Sequence, residues 1–222
     1  MRVLYHHWLS PFARTVRLVL LEKQLEVTEQ VVFDWERDER FLSLNPAGEV
    51  PVLVEDDGTT VADAGTIIEY LDEVYATPPL IGRTPLERVE SRRLAAWFNG
   101  KFYREVTAPL VSEKLTKRVT GGGAPDSRLV RAGRANVHTH LHYIAWLTER
   151  RKWLAGDTLS IADLTAAAHL SLVDYAGDVP WEDHDLAKDW YARVKSRPSF
   201  RPLLRDIIPN VPAPKHYTDL DF

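Results

Sequence analysis

The stretch Asn45-Pro46-Ala47-Gly48-Glu49-Val50-Pro51-Val52-Leu53-Val54 decides the first half of the fold. Val52, Leu53 and Val54 form a run of branched apolar residues that reads as a buried strand. Pro51 stands directly before it. A proline has no N–H to give to a sheet, so it belongs at the first position of a strand or on an edge. Working outward, residues 2–5 read as a short strand. Residues 11–23 carry apolar groups at helical spacing (Phe12, Val16, Val19, Leu20), and 27–33 is strand-like again. A charged connection (DWERDER, 34–40) follows. After the strand at 52–54 come the turn Glu55-Asp56-Asp57-Gly58, a strand at 60–61 and a helix over about 64–75. The order β-α-β-α-β-β-α predicts a thioredoxin-like domain over residues 1–77.

Two adjacent prolines in Ala76-Thr77-Pro78-Pro79-Leu80-Ile81-Gly82 end that helix, so 78–84 reads as a linker. From Pro85 to residue 208 only helical patterns appear, at about 85–118, 126–152, 160–176, 184–196 and 198–207, broken at Gly121-Gly122-Gly123. The fold class is therefore α/β plus all-α. Leu159-Ser160-Ile161-Ala162-Asp163-Leu164 gives the clearest local signal in the helical half. Ser160 caps a helix, Asp163 at its third position bonds back, and Leu159 and Leu164 supply a hydrophobic staple. Trp97, Trp146 and Trp190 lie at helical core spacing.

The chain has 222 residues and 45% hydrophobic content, enough for two small cores. It has no cysteine, which excludes disulfides, thiolate zinc ligands and a cysteine nucleophile. A net charge of −4 gives no broad basic field, so nucleic acid is not an expected partner. No apolar run approaches the roughly 20 residues that span a bilayer, and the N-terminus MRVLYHH shows no leader pattern. The expectation is a cytoplasmic protein without membrane insertion. His138, His140, His142 and His169 invite a metal reading, but there is no HExxH pattern and a helix carries such histidines without any ligand role. No metal site is expected.

The NPAGEVPVL segment, Tyr5 to Arg17 (YHHWLSPFARTVR), Asp63 to Leu71 (DAGTIIEYL), the SIADL box and RPSF at 197–200 together resemble the glutathione S-transferase (GST) superfamily over residues 1–208. That resemblance implies the two-domain GST fold. It implies a cis Val50-Pro51 peptide whose backbone meets a peptide-like ligand, although an X-Pro bond is cis in only about 5% of cases. It implies a homodimer, and a glutathione site at Glu49, Val50, Pro51, Asp63 and Ala64. It makes Ser10, before Pro11, the candidate hydroxyl that lowers the thiol pKa of glutathione. Ser-Pro is also the usual N-cap and first-turn pair of a helix, so Ser10 is read either as a cap alone or as a cap and thiolate donor. Tyr5 is a weaker candidate for that donor, and His6 and His7 read as strand-end residues.

Two positions depart from the family pattern. The resemblance places a Glu/Gln-Ser pair at the third helix, where the hydroxyl and the helix N-terminus hold a carboxylate of the ligand. Here the pair is Asp63-Ala64. Glu49 puts a negative charge where many family members have Lys, Arg or Gln. Losing a hydrogen bond to a charged group costs about 1.5–3 kcal/mol, so glutathione is expected to be a weak ligand and no cofactor is expected.

LYHHWLSPFARTVRL, DWERDERFLSLNPAG, WFNGKFYREV (97–106) and the terminal HYTDLDF resemble, more narrowly, the GST-like division proteins of alphaproteobacteria that bind the tubulin-like FtsZ. This implies FtsZ filaments as partner, a location at the division site and no need for a transferase reaction. The alternative is a transferase that conjugates glutathione to electrophiles with Ser10 stabilising the thiolate. Trp35, a large indole among charges, needs a pocket behind it or a partner in front. The Pro-rich tail, 209–222, keeps apolar groups between acids, and either lies back on the body or docks on a partner. Trp35, Tyr217, Asp219, Leu220, Asp221 and Phe222 are the expected partner contacts.

Overall fold

The structure is a computed structural model and describes residues 1–220; the calls on Asp221 and Phe222 lie outside the described residues. The chain divides into two compact units, Met1–Leu80 and Ile81 onward.

In the first unit β1 (Val3–His6), α1 (Pro11–Glu22), β2 (Thr28–Val31), α2 (Glu39–Leu44), β3 (Val52–Val54), β4 (Thr60–Ala62) and α3 (Ala64–Val74) follow in the expected order. The sheet order is β2-β1-β3-β4, with β1 parallel to β2 and antiparallel to β3. The β1–β3 ladder ends at Tyr5 opposite Val52. Pro51 thus sits one step beyond the last ladder pair, where its missing N–H is not required. The Val50-Pro51 peptide is cis, and so, unexpectedly, is Thr77-Pro78. Asn45 shapes the approach: its amide donates to the Glu49 carbonyl at 2.8 Å and its side-chain oxygen accepts from Ala47 N at 3.2 Å. Gly48 is required there, because its φ is +72° and a Cβ would come within 3.0 Å of a Leu42 methyl.

The first unit runs past the expected end at 77, and the reason is a buried cation. Lys23 Nζ donates to Asp72 Oδ1, Tyr75 O and Pro78 O at 2.9, 2.7 and 2.8 Å. Asp72 also accepts from Leu80 N at 2.8 Å. Residues 78–80 are therefore bound into this unit and not a free linker.

The second unit begins with α4 (Pro85–Trp97), held by a Thr84/Glu87 capping box. Winding continues to residue 120, but not as the uniform α-helix expected. Phe98–Thr107 and Ser112–Thr116 are π-helical, separated by α5 (Ala108–Val111) and followed by α6 (Lys117–Thr120). Two buried imidazoles face the wide first stretch. His169 is bonded to Asn99 Oδ1 at 3.1 Å and Thr107 Oγ1 at 3.0 Å, and His140 to Trp97 Nε1 at 3.1 Å and Glu105 Oε2 at 3.0 Å. Each of these histidines thus joins residues eight apart along the winding. π segments of this kind are uncommon and gather at functional sites. α7 (Ser127–Thr148), the fully buried α8 (Ile161–Tyr175) and α9 (Asp185–Lys195) follow. The helix expected at 198–207 shortens to a 3₁₀ turn and α10 (Arg201–Leu204).

The Ser160/Asp163 box forms as expected. Asp163 accepts from Ser160 N (3.1 Å), Ser160 Oγ (3.1 Å), Leu154 N (2.8 Å) and Trp190 Nε1 (2.9 Å). Trp190 is core, but Trp146 corrects the core-spacing expectation: it is 49% exposed, with the Arg150 guanidinium 4.6 Å from its ring centre. No helix among the described residues is long and apolar enough to cross a membrane.

Candidate functional site

In the first unit the candidate glutathione positions fall at three corners. Ser10 closes the β1–α1 loop and is buried, with its Oγ accepting from Ala13 N at 3.1 Å. It is an N-cap, and Pro11 occupies the first helical turn. The hydroxyl hydrogen has no acceptor among the described residues, so capping leaves it free to donate. Glu49 is exposed, and Val50 and Pro51 are buried behind it. Tyr5 packs with Phe41, ring centres 5.9 Å apart, beside Val50 and Val52.

Asp63 caps α3. Its Oδ1 accepts from Thr66 N at 2.8 Å and its Oδ2 from the Thr66 hydroxyl at 3.0 Å. Its backbone lies at φ +60°, ψ 150°, a region costing a non-glycine residue about 1–3 kcal/mol. Ala64 is buried at the first helical position and brings no hydroxyl. The corner therefore has a capped carboxylate and helix N–H groups, without the serine the family pattern supplies.

Trp35 belongs to a 3₁₀ turn, Asp34–Glu36, and is 38% exposed. One face stacks on Phe33 (centres 4.7 Å, planes 21° apart), and the His7 ring leans on it at 5.3 Å. Phe33 itself packs edge-on against Trp8 at 5.9 Å. Trp35 thus has both the backing and the open face that its position among charges raised as alternatives. His7 beside Asp34 holds that carboxyl below the usual range despite partial burial, with the N–H groups of Trp35 and Asp34 adding to the effect. His6, one residue earlier, pairs with Glu29 of β2 at 3.3 Å. Burial alone would raise the Glu29 pKa, but His6 and Arg17 bring it down to about 2.

In the second unit the tail folds back over α8 and α9. Tyr217, expected among the partner contacts, is a core residue at 0% exposure, and this corrects that expectation. Its ring meets Tyr175 edge-on at 4.9 Å and its hydroxyl donates to Leu203 O at 3.2 Å. His216 Nε2 lies 2.9 Å from buried Asp174 Oδ1, and Lys195 Nζ donates to the His216 carbonyl at 3.0 Å. Tyr175 OH donates to Val211 O at 2.8 Å and accepts from Ile208 N at 3.2 Å. The Asp174 partner raises the His216 pKa, while burial lowers Lys195 to about 8. Asp219 and Leu220 lie past this anchorage, exposed and half-buried. Asp219, His216, Lys215 and Trp181 line a cavity of about 590 Å³.

His138 Nδ1 and His184 Nε2 are 3.0 Å apart, but among the described residues no group of three or more His, Asp or Glu side chains could hold a metal ion. Sequence reasoning missed His7, Asp34, Asp174 and Lys195. The adjacency of Phe33, Asp34 and Trp35 is visible in the sequence, but nothing there says that His7 meets them.

A thioredoxin-like sheet with a cis proline before β3, a capped corner at α3 and a capping box in a buried helix define the class of protein. The family models for the glutathione S-transferase N-terminal domain and C-terminal domain match residues 9–74 and 125–198, and the chain belongs to the glutathione S-transferase family. It is 48% identical over 224 residues to "FtsZ-localized protein A" of Caulobacter vibrioides (strain NA1000 / CB15N), covering 100% of this chain and 98% of that one. The solved structure of FzlA from C. crescentus is 48% identical with a TM-score of 0.97, covering 100% of this chain and 99% of that one. A structure described as a glutathione S-transferase from Rhodospirillum rubrum F11 is 64% identical with a TM-score of 0.99 and full coverage of both chains.

Proposed function

We propose that this chain is a GST-fold binding protein that associates with FtsZ filaments and promotes constriction during bacterial division. On this reading it works in the cytoplasm at the division site, as a homodimer, without a cofactor or a metal. The observation that carries it is the full-length relation, at 48% identity, to a protein named for its localisation with FtsZ. Two structural features support it. Trp35 offers an indole face on a rigid aromatic backing, and aromatic groups held this way dominate interface energetics. Ala64 at the α3 corner and exposed Glu49 before β3 stand where a strong glutathione site needs a hydroxyl and no negative charge. Val50, Pro51, Asp63 and Ala64 are then remnants that keep glutathione a weak ligand. Trp35, with Asp219, Leu220, Asp221 and Phe222 from the tail, contacts the partner.

The test sets co-pelleting with polymerised FtsZ beside retention on immobilised glutathione. The expected result is pelleting and little retention; tight retention with no pelleting defeats the reading. Ser10 favours one second reading, because its hydroxyl hydrogen stays available while its oxygen caps α1. On that reading the chain conjugates glutathione to electrophiles with Ser10 stabilising the thiolate. A measurable conjugation rate that Ser10→Ala abolishes, with stability lowered only by the roughly 1 kcal/mol of a lost cap, would establish it.

A further inference from the structure

We infer that His7 is a positioning residue, which fixes the pose of Trp35 through the ring stack and through Asp34; this rests on the reading of Trp35 as a partner contact. A three-residue 3₁₀ turn does not hold a side chain by itself, since a single short turn fixes several backbone torsions for little hydrogen bonding. The Asp34–Glu36 turn has no side-chain cap at its start, and it is followed by Arg37 at φ 50°. Its order must come from what lies beneath it.

His7 lies there and touches the turn twice. It stands just past the end of β1 and is 5% exposed, so the sheet fixes its place. Its Nδ1 accepts from Leu9 N at 3.2 Å, which leaves the proton of the neutral ring on Nε2. Nε2 lies 3.5 Å from Asp34 Oδ1, an ion-pair distance longer than a hydrogen bond, and it has no hydrogen-bond partner among the described residues. A buried N–H with that single outlet favours a carboxylate in front of it. The same ring leans on Trp35 at 5.3 Å and on Phe33 at 5.9 Å. One imidazole thus faces the residue 34 carboxylate with its N–H and meets residue 35 by ring contact. Phe33 supplies the flat support, and His7 stops the turn from rotating over it.

The experiment uses full-length protein labelled with 5-fluorotryptophan, with the Trp35 resonance assigned by its disappearance in Trp35→Phe. His7→Phe keeps a ring without the polar nitrogens, and Asp34→Asn changes a residue at the surface and removes only the charge. Both should shift or broaden the Trp35 resonance, leave the tryptophans of the second unit in place and weaken FtsZ co-pelleting about five- to tenfold. His7→Gln, whose amide N–H can reach Asp34, should restore part of that loss, which a merely structural role for His7 would not allow. If both variants keep the wild-type Trp35 resonance and FtsZ affinity while Trp35→Ala loses binding, the inference is wrong and the functional reading stands. If Trp35→Ala itself pellets like wild type, the reading of Trp35 as a partner contact fails, and the inference with it.

Discussion

Asp63 and Asp163 do the same chemical job in different company. Each holds the first turn of a helix by accepting N–H groups at its N-terminus. Asp163 is wholly buried and collects four donors from three segments, including the Trp190 indole. Asp63 is exposed, bonded only to Thr66 among the described residues, and held at a φ of +60° that disfavours any residue but glycine. One cap is bound into the packing of its unit, while the other is a strained surface corner. Strain of that kind gathers at binding sites, and of these two caps only Asp63 carries it.

Asp163→Ala should give the largest effect, because it leaves several buried donors without an acceptor. A loss of about 3–5 kcal/mol is expected, a drop in melting temperature on the order of 10 °C. Denaturant unfolding that shows less than about 1 kcal/mol would break the comparison on its buried side.

His169 extends that side to pH. Burial lowers its pKa to about 3, so the folded state binds fewer protons than the unfolded one between pH 3 and 6.5. Stability should therefore rise with pH across that window and fall by a few kcal/mol on acidification. A His169→Gln variant should flatten the profile; an unchanged slope assigns the acid loss to other groups.

Ala64→Ser tests the surface corner directly. If the corner keeps its recognition geometry, the added hydroxyl should raise glutathione affinity about ten- to a hundredfold by calorimetry. An unaltered affinity would mean that Asp63 and the α3 N-terminus no longer face a ligand.

The tail latch is smaller. The His216 pKa is raised in the folded state by Asp174, so its contribution is complete below the unfolded value near 6.5 and fades as pH rises through the folded value. His216→Ala should cost about 1 kcal/mol at pH 6 and less at pH 8. An equal cost at both values would remove the ion pair from the explanation. Lys195 works oppositely: its pKa near 8 makes its burial costly below that pH and relieves the cost toward 10.5.

The smallest effect sharpens the contrast. Asp63→Ala loses a cap and keeps the strained φ, for about 1 kcal/mol; Asp63→Gly loses the same cap but relieves the backbone and should be neutral or better. If both variants lose equally, the strain is not there.

Local chemistry made much of this legible in the sequence. The proline before Val52, the Ser160/Asp163 pair and the Ser10-Pro11 cap act over a few residues, and the structure forms all three. Long-range pairings were not legible. Lys23 reaching Asp72 moves the end of the first unit, and two buried imidazoles accompany a winding that apolar spacing cannot distinguish from an α-helix. His216 and Tyr217, in a proline-rich segment that reads as extended, find Asp174 and Tyr175 more than 40 residues earlier. His7 reads as a strand-end residue because only the folded loop brings Asp34 and Trp35 to it.

The tail's anchorage also has a mechanical meaning. Asp174 receives His216, the Trp181 indole and the Tyr191 hydroxyl, at 2.9, 2.8 and 3.4 Å. Tension applied beyond Tyr217 therefore does not peel a loose end. It passes through the Tyr217 ring and the His216–Asp174 pair into the buried helix α8 and is shared with α9 through Lys195, so the load is carried by the core of the helical unit.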